Sequence, residues 1–445
     1  MKKIIILILF LPLLNNCSFD NKTGIWKNES RTKVVDRKTD KVLESVFKEK
    51  QFFLEEVEPQ DNYLFKNLKK VKILNWNETY QNNQNNIENV NYINKKEILL
   101  KSKKLKGRIL NKDFLYEDEN IIYTDIKGNV YVYSINNNTE IFKYNFYKKK
   151  YKKINKKLNI IVKSNIIYIA DNIGFVYALN YKTSQIVWAK KIGIPLRSNL
   201  KIYEDQLFVS TDTNKIFSLN IYDGNTKWDF FSATASIQQD DKNNFAIDKF
   251  GNLVFFNTNN SLYVWNLLEN RISWITDLKV FSLDKNKITK FEPVTVSNGK
   301  LLITSNKNLY LFDLATGQYL WNKKISTSLK PIISENNIFI VTDENFVVNV
   351  NLANGEIIWS QKISNLLLKS NYKRLDKKIS KFNSFFLSND SILLFSDSHL
   401  IELDISKKIS VINANKIPKI EIGSHPIFVD GYMFIFSNKR LYKFN

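Results

Sequence analysis

A chain of 445 residues exceeds one ordinary domain, so it holds either several domains or one repeat architecture that spreads a single core over many small units. Its 44% hydrophobic and 13% aromatic content supplies ample core, and the dominance of Ile, Val, Phe and Tyr favours strands over helices. The formal net charge of +22 does not single out nucleic acid, because Lys, Asn and Ile are over-used along the whole chain, as in an A/T-rich genome.

The chain opens MKKIIILILFLPLLNNCSFD, where two lysines precede an 11-residue apolar run from Ile4 to Leu14. A bilayer span needs about 20 residues, so the run predicts a secretory signal over 1–16 and an exported protein. Cys17 is the only cysteine, and an oxidising compartment favours paired cysteines or none, so Cys17 is expected to be a lipid attachment site. Leu14-Asn15-Asn16-Cys17 resembles a bacterial lipobox, with Asn16 where Gly, Ala or Ser is usual. By the same resemblance, Ser18 in place of Asp implies sorting to the outer membrane. Residues 17–70 are polar and read as a tether with one short helix, since Val42, Val46, Phe47 and Phe53 recur at roughly helical spacing.

From residue 71 the texture changes to a period. Taking Tyr310 as the start of a hairpin, matching starts fall at Tyr131, Tyr177, Phe217, Tyr263, Val348, Ile401 and Tyr442, 38 to 53 residues apart, the range of four-stranded propeller blades. Eleven residues after five starts stands a tryptophan, namely Trp188, Trp228, Trp274, Trp321 and Trp359, with Phe142 in the first unit. Seven residues after the starts come Asn138, Ser184, Gly224, Asn270, Gly317, Gly355 and Lys408, mostly residues that accept the positive φ of a type I turn with a G1 bulge. Pro293, Pro331 and Pro426 each launch a further apolar strand. The prediction is an all-β, eight-bladed propeller of four-stranded antiparallel blades over 71–445. Tyr442 leaves room for no fourth strand, so an N-terminal strand, expected at Val71–Trp76, closes the ring.

Ala-Leu-Asn at 178–180, Phe-Asp-Leu-Ala-Thr-Gly at 312–317 and the Trp four residues beyond that Gly are similar to the PQQ-like propeller repeats. With the lipoprotein signal and eight blades, the chain resembles the BamB-like outer-membrane assembly lipoproteins. The resemblance implies a non-catalytic scaffold without a cofactor, lipid-anchored on the periplasmic face of the outer membrane of a Gram-negative bacterium. It implies BamA and other assembly-machinery subunits as partners. It also places a BamA-binding loop at Ile194-Pro195-Leu196-Arg197, two apolar anchors beside a multidentate donor. An acidic pair completes the family's patch; Asp241 matches its first member and Asn243 replaces the second.

Two other classes compete. A PQQ-dependent quinoprotein dehydrogenase shares such repeats, and that resemblance implies an adjacent cysteine pair and carboxylates around calcium; one cysteine and no Cys-x-x-Cys-His speak against it. His399 and His425, the only histidines, lie 26 residues apart with no carboxylate motif beside them, which disfavours zinc. An envelope-binding propeller would use Lys148-Lys149-Lys150-Tyr151-Lys152-Lys153 and Lys156-Lys157, a cluster equally expected of a solvated inter-blade loop.

Overall fold

The computed structural model describes residues 17–20, 25–28, 53–67, 69, 71–107, 110–147, 151–232, 244–258, 260–281, 293–305, 308–420 and 424–445. Two compact units divide at residue 51. In the first, Cys17–Asp20 pairs antiparallel with Ile25–Asn28. The expected signal (1–16) and most of the expected helix (39–52) lie outside the described residues.

The second unit is the predicted propeller. Eight four-stranded antiparallel sheets follow one another. Blade 1 comprises Leu110–Glu117, Asn120–Asp125, Asn129–Ser134 and Thr139–Asn145. Blades 2 to 7 occupy 158–191, 201–231, 246–277, 295–323, 332–362 and 384–416. First strands such as Ile332–Ser334 are wholly buried, whereas fourth strands such as Arg271–Asp277 alternate exposed and half-buried residues. The first strand of each blade therefore lines the axis and the fourth faces solvent.

Blade 8 contributes Ile427–Val429, Tyr432–Ser437 and Arg440–Phe444 from the C-terminus, and its outer strand is Ile98–Lys101, antiparallel to Arg440–Phe444. An N-terminal strand does close the ring, but it is not Val71–Trp76. That stretch crosses the mouth of the axis, where Ile73 and Trp76 are buried and Trp76 exchanges two backbone hydrogen bonds with Tyr116, of 2.8 and 3.0 Å. Its alternating apolar residues are satisfied by the inside of the ring, leaving the later strand for the outer edge.

Three of the recurring tryptophans tie one blade to the next. Seven third-to-fourth-strand hairpins carry a register shift at the same place, as between Leu311 and Phe312. Trp188, Trp274 and Trp321 each reach the following blade's hairpin, donating Nε1–H to the carbonyls of Ile221 (2.8 Å), Leu314 (2.8 Å) and Leu352 (3.0 Å). Each indole lies on a glycine: a Cβ on Gly224, Gly317 or Gly355 would come within 2.8 Å of the ring, and all three have φ of +73°. The predicted positive φ holds at Asn138, Ser184 and Asn270 but not at Lys408. Blade 7 therefore offers Trp359 no glycine shelf. Tyr63 packs edge-on to Trp359 instead (centroids 6.3 Å), and Phe65 N–H bonds the Ser406 carbonyl at 2.8 Å. Residues 53–67, read as tether from sequence, are thus packed on blades 6 and 7, with Val57 bridging Ser360 on the outer strand of blade 6.

Residues 73–92 wind once around the inside of the ring. In order, Ile73 O accepts from Asp430 N–H of blade 8, Trp76 pairs with Tyr116 of blade 1, and Asn77 O accepts from Val162 N–H of blade 2. Asn83 Nδ2 donates to Ile202 O of blade 3, and Asn83 O and Gln84 O accept from Ile247 and Val296 N–H of blades 4 and 5. Asn86 grips Ile333 of blade 6 through both amide atoms (2.9 and 3.0 Å), and Val90 N–H donates to Leu387 O of blade 7. Innermost strands present unpaired backbone groups to the axis, and buried backbone groups need partners. This coil supplies them for all eight blades.

Candidate partner-binding face

Strands alternate in direction within each blade, so the loops between second and third strands and the loops between blades emerge on one face. Ile194–Arg197 lies there, between blades 2 and 3. Its backbone is fixed by the second-to-third-strand turns of both blades: Ile192 and Gly193 N–H donate to Gly174 O (2.8 and 3.0 Å), Leu196 N–H to Asp171 O (3.1 Å), and Asp212 N–H to Pro195 O (3.0 Å). Gly174 (φ +99°) permits this contact, since a Cβ there would fall 2.7 Å from Ile194 N. Asp171 holds the turn in place, its Oδ1 accepting from the N–H groups of Ile173, Gly174 and Phe175 at 2.8 to 2.9 Å.

The loop's side chains divide. Leu196 is buried in the core between blades 2 and 3 and bridges Thr211, so its role is structural packing. Pro195 is exposed, and Ile194 and Arg197 are half-buried. Arg197 Nε donates to Thr211 O at 3.4 Å, which anchors the guanidinium over blade 3. Asp241 and Asn243 lie outside the described residues, and Cys17 is the first residue of its strand. Gly174, Asp171 and Thr211, which shape the loop, were not singled out from sequence. Their signal is an Asp opening the same turn in several blades, since Asp125 and Asp248 likewise accept backbone N–H groups at 2.8 to 3.0 Å.

The lysine cluster after blade 1 is less of a surface than its sequence suggests. Lys156 is buried, its ammonium bonded to the Tyr151 carbonyl and 4.8 Å from the Tyr147 ring, and burial lowers its pKa. Lys148, Lys149 and Lys150 lie outside the described residues, and Lys152, Lys153 and Lys157 are exposed. His399 contacts Ser398 Oγ (3.0 Å) and His425 contacts Thr79 O (3.3 Å), each within its own surroundings.

The axis itself carries a buried charge pair. Lys201, on the inner strand of blade 3, has no exposed side-chain surface and is paired with Glu78 of the coil; it also donates to Asn85 Oδ1 (2.7 Å) and Asn82 O (2.8 Å). Burial raises the Glu78 pKa and lowers that of Lys201, and the attraction between the two opposes both shifts.

Comparison with known proteins follows the same lines. The sequence profile described as outer membrane protein assembly factor BamB matches residues 126–361, more than half of the chain. The outer membrane protein assembly factor BamB of Yersinia pestis is 22% identical over 165 residues, 36% of this chain and 42% of that protein, so the match spans less than half of the relative's length. The crystal structure of BamB from Moraxella catarrhalis superposes with a TM-score of 0.57 at 15% identity, covering 78% of this chain and 99% of that one. A quinohemoprotein alcohol dehydrogenase from Comamonas testosteroni gives a TM-score of 0.60 at 9% identity over 81% of this chain and 76% of its own, a likeness of fold alone. Eight blades, three of whose junctions carry the Trp–Gly clamp, and a profile match spanning blades 2 to 6 converge: the chain belongs to the family of the outer membrane protein assembly factor BamB.

Proposed function

We propose that the protein is a non-catalytic scaffold lipoprotein of the β-barrel assembly machinery. Held by a lipid on Cys17 at the periplasmic face of the outer membrane, it binds BamA and assists the assembly and insertion of outer-membrane proteins. The observation that carries this reading is the family match across 126–361, the blades that contain Ile194–Arg197. The built loop supports it, since Arg197 and Ile194 stand on a backbone pinned from two blades, a preorganised arrangement that limits the entropy lost on binding. Arg197→Glu is expected to lower recovery of BamA in a pull-down from membranes by about 30-fold in affinity, as for an interfacial hot spot of about 2 kcal/mol. Unchanged recovery by a variant with native circular dichroism would remove Arg197 from the contact.

The dehydrogenase reading is disfavoured by the coil that fills the axis. Calcium takes six to eight oxygens, carboxylates prominent among them, and the two carboxylates of the coil, Glu78 and Glu88, are already paired with Lys201 and Lys69. PQQ is therefore expected to produce no calcium-dependent rise in Tm. Such a rise, by differential scanning fluorimetry, would reinstate the enzyme class.

A further inference from the structure

On the loop-bearing face, the coil and the segments that enter several blades enclose a cavity of about 270 Å³. It is walled by Trp76 and Tyr80 of the coil, by Phe385 and Phe386 of blade 7, and by segments leading into blades 5, 6 and 8. Two basic residues, Lys330 and His425, line it, and among the described residues no Asp or Glu does.

Lys330 is the unusual member. It stands immediately before Pro331 at the entry to blade 6, and its Nζ donates to the Asn85 carbonyl at 2.5 Å. Among the described residues no carboxylate acts on it; burial and the nearby Lys201 charge push its pKa down to about 7. Lys201 has its counter-charge in Glu78, so among the described residues the axis holds one matched cation, Lys201, and one unmatched cation, Lys330. An ammonium drawn out of water without a counter-ion is unfavourable, and a bound anion is the missing compensation. Aromatic walls around such a group make a pocket that fixes an apolar body and orients one charge.

We propose that this cavity is a binding site for a carboxylate carried on a short apolar body, with Lys330 as counter-ion and Trp76, Tyr80 and Phe385 enclosing the body. Two sources present this chemistry: a free small acid, and the C-terminal residue of a polypeptide reaching the face. The site does not depend on the BamA contact, which lies out between blades 2 and 3, so either assignment can fail without the other.

The test is titration calorimetry on the full-length protein. Phenylacetate represents the free acid, and a tetrapeptide ending in leucine with a free carboxylate represents the polypeptide terminus. Phenylacetamide and the amidated peptide are the uncharged controls. One-site binding of at least one acid is expected, weakened about tenfold or more in its amide and in Lys330→Met. Saturation by the peptide acid alone assigns the site to chain termini, and saturation by phenylacetate assigns it to free acids. Equal binding of acid and amide would overturn the proposal. So would the absence of saturation at millimolar concentration with wild-type protein, an outcome that does not depend on whether Lys330→Met folds.

Discussion

Lys330 makes a claim about stability that needs no ligand. Its folded-state pKa of about 7 lies below the ordinary lysine value of 10.5, so folding must disfavour the charged form. The sign follows directly. Above about pH 10.5 the residue is neutral in both states and costs nothing; as pH falls towards 7 the unfolded chain binds a proton that the folded chain resists, and the destabilisation grows, then levels off below about 7. Lys330→Met keeps the stem and removes the charge. Its Tm is expected to exceed that of the parent at pH 6, with the gap closing as pH approaches 10. Parallel Tm curves across that range would show that the ammonium is well solvated. Burial lowers the Lys201 pKa as well, but its charge, unlike that of Lys330, is matched by Glu78 and two amide or carbonyl oxygens.

Among elements, the coil at 73–92 is the one whose removal reaches every blade. Asn86 closes two hydrogen bonds with the Ile333 backbone inside the ring, so Asn86→Ala leaves a buried N–H and C=O unpaired. The expected loss is about 2–4 kcal/mol in urea unfolding, against less than about 0.5 kcal/mol for Asn136→Ala on an exposed hairpin turn. Equal effects would mean that water replaces the coil's bonds. The blades were legible in sequence because their signals are local: Trp321 and Gly317 lie in one hairpin, and the period repeats them. The coil was not legible, because Asn83, Asn85 and Asn86 find partners 119 to 247 residues away and show neither a two-residue nor a helical apolar period. The closing strand was misplaced for a related reason. Val71–Trp76 and Ile98–Lys101 both precede blade 1, and only the coil between them decides which one enters the axis and which reaches the outer edge. In the candidate loop, Leu196 looked like an anchor because burial by a neighbouring blade leaves no mark on four residues of sequence.

The propeller unit is a ring assembled around the segment that precedes its first blade, and this orders its tolerance to truncation. A chain starting at Phe53 keeps the residues that pack on blades 6 and 7, the coil and the closing strand. A chain starting at Glu97 still contains all eight blades and the closing strand but loses the coil, so inner-strand groups such as Val162 N–H, Ile247 N–H and Leu387 O face an open axis. It also loses Glu78, which leaves Lys201 without a counter-charge, a change of the kind that costs about 3–5 kcal/mol when one partner of a buried pair is removed. Marginal stability of about 5–15 kcal/mol cannot absorb both effects. The first truncation is expected to unfold cooperatively near the parent Tm. The second is expected to aggregate or bind the dye ANS as an expanded state. If the chain starting at Glu97 melts like the parent, the ring closes on blade-to-blade contacts alone, and the coil is a passenger in the axis, not the core around which the propeller forms.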